Sequence, residues 1–171
     1  MAKIPQIIAG KGSEIGEFDL ADCYYNAGAI LHAASYDGIT KNAQGHIGGP
    51  TDEFFQGNFL VALFNIRHAI ELRMKNLATL LKVALKSGHN LEKLWDEILK
   101  SPRINAKETI VTAGLLELAK YDVLKDEELF RYERHNKLAQ ALKDYPAIQP
   151  NTFDLLGETY HALRDAMLCL A

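Results

Sequence analysis

The chain has 171 residues, 48% of them hydrophobic and 24% charged, enough apolar material for one domain with a sizeable core. Its net charge of −3 lacks the basic excess that neutralises phosphates, which excludes a general nucleic-acid binder and leaves only a local basic patch as a route to RNA or DNA. Cys23 and Cys169 form no CxxC pair, so zinc-ribbon and thioredoxin-type sites are excluded.

The two cysteines read as free thiols in a reducing compartment, and the expected location is cytoplasmic. The N-terminal apolar run is too short for a signal peptide, and no apolar stretch reaches membrane-spanning length. Residues 1–17, with Gly10, Gly12 and Gly16, read as an irregular lead-in to a single helical domain over 18–171.

A first helix is expected from Asp19 to Ser35, with Leu20, Tyr24, Ala27, Leu31 and Ala34 along one side. Asp37 to Asp52, rich in Gly, Asn and Thr, reads as a loop that is long for a compact bundle. The longest helix follows from Glu53 to Lys86, with a stripe of Leu60, Leu63, Ile66, Ile70, Met74, Leu77, Leu81 and Ala84. Ser87-Gly88 is its expected end, Gly88 suiting a left-handed cap.

Asn90 caps a short helix through Lys100 that buries Leu91, Leu94, Trp95 and Ile98, and Pro102 stops it. Asn105 with Glu108 resembles a capping box opening a fourth helix to Tyr121. Residues 126–142 are helical in propensity but broken in pattern. Pro146 and Pro150 are breakers, and Asn151 or Thr152 is the expected cap of a final helix. Its apolar seam is Phe153, Leu156, Tyr160, Leu163, Met167 and Leu170, at spacings of three and four. No segment reads as a strand. The pattern predicts an all-α, up-and-down bundle of four to six helices.

On an ideal helix each residue advances about 100°, so the long helix's stripe spans roughly 240° to 360° from Leu60, and Arg67 at about 340° falls inside it. Glu71 lies just past the edge and Lys75 further out. Arg67, Glu71 and Lys75 thus form a ladder of alternating charge. It either supports the helix by about 0.2–0.5 kcal/mol per pair or supplies a partner that a guanidinium near the core requires.

The segment Ala69-Ile70-Glu71-Leu72-Arg73-Met74-Lys75-Asn76-Leu77 resembles the A-I-E-L-x-L-K-x-L helix of HEPN-domain proteins. Gly88-His89-Asn90-Leu91-Glu92-Lys93-Leu94-Trp95 is similar to the G-H-D-L-x-x-L that follows it, and Phe130-Arg131-Tyr132 to an F-R-Y-P segment before the last helix. The order of elements agrees over roughly residues 18–170. The resemblance implies an all-α bundle, HEPN-like, that forms a homodimer. It also implies one of two functions, a metal-independent ribonuclease of toxin or defence type, or a binding or scaffolding module.

The ribonuclease branch carries an Arg followed by His after about four to six residues. No Arg–His pair here has that spacing; Arg131 and His135, with three residues between them, come nearest. The expectation is therefore a non-catalytic bundle acting by binding or oligomerisation, with a nucleotide, RNA or antitoxin-type protein as candidate partner and no cofactor. The alternatives are a divergent ribonuclease with His135 as general acid or base and Arg131 and Arg134 on the phosphate, and a purely structural interaction module. In either case Arg131 is expected to reach back to Glu71, with His89 and Tyr132 nearby, as a polar staple or as a small anion pocket lined by Arg67, Lys75, Arg131, Arg134 and His135.

Other constellations are weaker. Glu158 and His161 have Glu-x-x-His spacing but lie off the seam through Tyr160, and His32, His68 and His161 lack a ligand ladder, so no metal site is expected. The glycines at 45, 48 and 49 do not make a P-loop. Tyr25 and Phe64 fall off the main stripes and are candidates for a dimer interface.

Overall fold

The computed structural model describes residues 20–45, 52–104, 108–120 and 150–170. Among them lie five helices and no strand: α1 (Leu20–Ala43), α2 (Asp52–Leu81), α3 (Leu91–Ile98), α4 (Glu108–Ala119) and α5 (Pro150–Leu168). The chain is all-helical over these residues, as the apolar periodicity requires. The lead-in, residues 126–142 and the Asn105 cap lie outside the described residues.

The stripe of α2 is the centre of the core. Leu63, Ile70, Met74 and Leu77 are wholly buried, and Leu60 and Ile66 nearly so. Around it pack α1, α3 and α5, while α4 packs on α5. Contacts fix the directions. Gly28 lies against Ala62 and Ile66, Tyr24 against His68, and His32 against Phe59, so α1 runs antiparallel to α2. Likewise Glu117 meets Thr152 and Ile110 meets Thr159, so α4 runs antiparallel to α5. The seam of α5 turns inward as its spacing predicts, with Leu156 and Leu163 fully buried and Phe153 and Tyr160 nearly so.

Three boundaries differ from the sequence reading. First, α1 continues eight residues past Ser35, into the stretch read as loop. An exposed Lys41–Asp37 pair one turn apart supports the extension, and Gly45, at φ 81°, ends the segment. Second, α2 stops at Leu81 rather than Lys86, and the left-handed residue is Lys82, at φ 58°, not Gly88. The Val83 N–H donates to Ala78 O and the Lys82 N–H to Thr79 O, which satisfies two terminal carbonyls. Val83 packs on the core, and that burial offsets the strain at Lys82. Third, α5 starts at Pro150, so Asn151 and Thr152 lie inside its first turn instead of capping it.

The face that α1 buries also differs. Ala21, Gly28 and Ser35 are its buried residues, whereas Leu20 is 60% exposed and Ala27 and Ala34 point outward. Small residues let α1 approach α2 closely. A Cβ at position 28 would lie 2.8 Å from the backbone oxygen of Ala62 and 2.6 Å from Ile66 Cγ1.

Candidate functional site

Three polar constellations stand out, and they differ in how far their hydrogen-bonding capacity is spent. The first is the ladder on α2. Glu71 is fully buried and Arg67 almost so, deeper than the stripe geometry placed the acid. Arg67 Nη1 donates to Glu71 Oε2 at 3.0 Å and Arg67 Nη2 to the backbone oxygen of His89 at 2.7 Å. Lys75 Nζ donates to Glu71 Oε1 at 2.7 Å, and His89 Nδ1 stands 2.7 Å from the same oxygen. An ionised carboxylate only accepts, so Nδ1 carries the proton. Burial pushes the Glu71 carboxyl up, but the hydrogen bonds from Lys75 and His89 and the charges of Lys75 and Arg67 hold it below the ordinary range.

His89 is delivered to this cluster by the chain reversal after α2. Glu97 accepts from the Lys86 N–H and the Ser87 hydroxyl, which ties the returning segment to α3. Asn90 Oδ1 accepts from the Lys93 N–H at 3.0 Å and caps α3, as expected. Arg67, Glu71, Lys75 and His89 are therefore brought together, while Arg131, Tyr132, Arg134 and His135 lie outside the described residues. The space beside Arg67, against Asn90, Leu115 and Leu118, is about 30 Å³. That volume suits a water molecule.

The second constellation was missed in the sequence. Arg73, on α2, donates from Nη2 to Asp22 Oδ1 at 2.7 Å and from Nε and Nη2 to the Tyr160 hydroxyl at 3.1 and 2.9 Å. The Tyr160 hydroxyl donates in turn to Asp22 Oδ1. This triad pins α1, α2 and α5 at one level. Burial and the Asp22 carboxylate push the Tyr160 phenol well above its usual value. Burial works against the Asp22 charge, but bonds from Tyr160 and Arg73 keep its carboxyl low. The one available signal was Arg73's place at roughly 220° on the ideal wheel, bordering the apolar stripe.

The third constellation is open. Between α1 and α5, above Ile66, lies a cleft of about 530 Å³, within the usual range of ligand sites, about 300–1,000 Å³. Small residues create it: Ala29 on α1 faces Gly157 on α5, where a Cβ would meet the Tyr25 hydroxyl at 3.1 Å. Its walls are aromatic. Tyr25 stacks on Tyr160 with centroids 4.2 Å apart and planes 3° from parallel, and His32 stacks on Phe153 at 3.9 Å. Asp154 and Glu158, one turn apart on α5, and His161 complete it.

Among the described residues, the side-chain polar groups of Tyr25, His32, Asp154, Glu158 and His161 make no hydrogen bond or ion pair. Burial lowers the His32 pKa, with Asp154 pulling it partly back, so the ring is neutral at pH 7. Tyr25 lines this cleft with its ring stacked on Tyr160. Glu158 and His161 line the cleft too, a role the sequence did not reveal. Among the described residues no group of three His, Cys, Asp or Glu side chains is placed to hold a metal ion, and no helix is long and apolar enough to cross a membrane.

Comparison with protein-family models, with curated proteins and with solved structures finds no match to this chain.

Proposed function

We propose that the chain is a non-catalytic, HEPN-like helical bundle that works by binding, and that its binding site is the cleft between α1 and α5. The observation that carries this reading is the contrast between the constellations. The Glu71 and Asp22 clusters direct their charges at one another inside the bundle and act as staples. The cleft gathers the polar side chains of Tyr25, His32, Asp154, Glu158 and His161, which have no hydrogen-bond or ion-pair partner among the described residues, around a ligand-sized space. A concave space with aromatic walls and a few convergent polar groups is the usual form of a ligand site. The resemblance of the Ala69–Leu77 and Gly88–Trp95 segments supports the HEPN-like part.

A thermal-shift screen of nucleotides, anions and amines tests this reading. Ligands that raise the melting temperature of the wild type are expected to lose their effect in Ala29→Phe, which fills the cleft. Stabilisation by a nucleotide that survives Ala29→Phe and disappears in Lys75→Ala would move the site to the Glu71 cluster and overturn the proposal. The divergent-ribonuclease alternative predicts RNA cleavage in EDTA that is lost in His135→Ala and Arg131→Ala; no cleavage is expected.

A second reading, self-association as a homodimer, draws on α1. Leu20, Cys23, Ala27, Ile30 and Ala34 recur at spacings of three and four on its exposed side, and Ile30 is 68% exposed. An outward apolar seam of that period is the pattern by which helices pair. Light scattering behind size exclusion is expected to show a dimer for the wild type and a monomer for Ile30→Lys.

A further inference from the structure

We draw no further inference here: the strongest candidate, the acidic pair Asp154 and Glu158 on α5 at the α1–α5 cleft, belongs to the site already described, and nothing else among the described residues points to the chemistry of its ligand.

Discussion

A single buried carboxylate, Glu71, organises the polar half of the core. It is fully buried and receives Arg67, Lys75 and His89. Removing one partner of a buried ion pair costs about 3–5 kcal/mol, because the other charge is left uncompensated. Glu71→Gln is therefore expected to lower the unfolding free energy by about that amount at pH 7, measured by urea denaturation. Replacing both partners, as Arg67→Met with Glu71→Leu, is expected to cost less than either single change. The folded pKa of Glu71 lies below its ordinary 4.5, so the unfolded chain takes up the proton first. The stability it contributes is present above about pH 4.5 and lost as pH falls through the folded pKa. The Glu71→Gln penalty should shrink accordingly in acid, and a penalty under about 1 kcal/mol at pH 7 would sink the staple. Arg67 was legible because its angle put it inside an apolar stripe. Asp22, Arg73 and Tyr160 were not, because their meeting depends on contacts 51 and 87 residues apart. The seam on α5 displayed Tyr160 as a ring and said nothing of where its hydroxyl points.

Helix packing turns on two glycines that a propensity scale would condemn. A Cβ at Gly28 would sit 2.8 Å from a backbone oxygen of α2, and one at Gly114 would sit 1.9 Å from Thr159 Oγ1 and 2.8 Å from its Cβ. Alanine in a helix interior gains about 1 kcal/mol over glycine. Overpacking typically costs about 1–3 kcal/mol, and no rotamer change can move the carbonyl of Ala62. Gly28→Ala and Gly114→Ala are thus expected to destabilise by about 1–2 kcal/mol each, seen as lower denaturant midpoints. Gly88→Ala, in open space without a positive φ, is the control and should stay within about 0.5 kcal/mol of wild type. A stabilised Gly28→Ala would show that α1 and α2 are not in close contact. The long α2 stripe and the α5 seam were readable because period and burial agree along them. The inner face of α1 was not, since Ala21, Gly28 and Ser35 carry almost no hydropathy signal. What selects them is the distance to α2. The end of α2 was misjudged for a related reason. Gly88 satisfies a local rule, but burial of Val83 draws Lys82 into the left-handed conformation six residues earlier.

At the scale of the molecule, the shifted groups among the described residues all favour one pH interval. Asp22, Glu71, Glu97 and Glu117 have folded pKa values below their ordinary ones, and so does His32. Each binds its proton more readily in the unfolded chain, so stability rises with pH through their range. Burial raises Tyr25 and Tyr160, so the unfolded chain loses those protons first and stability falls above about pH 10. The melting temperature is therefore expected to form a plateau between about pH 7 and 10. It should decline gently below about pH 6.5, where His32 charges in the unfolded state, and steeply below about pH 4.5, where the carboxylates follow. Scanning calorimetry from pH 4 to 11 checks this, and His32→Gln separates the two acid steps. That variant should abolish the shallow decline and keep the steep one, because His32 stands in the cleft wall while the carboxylate staples lie between the helices. A shallow step that persists in His32→Gln would assign it to another group. It would also count against a neutral His32 ring at pH 7, the state that its burial implies.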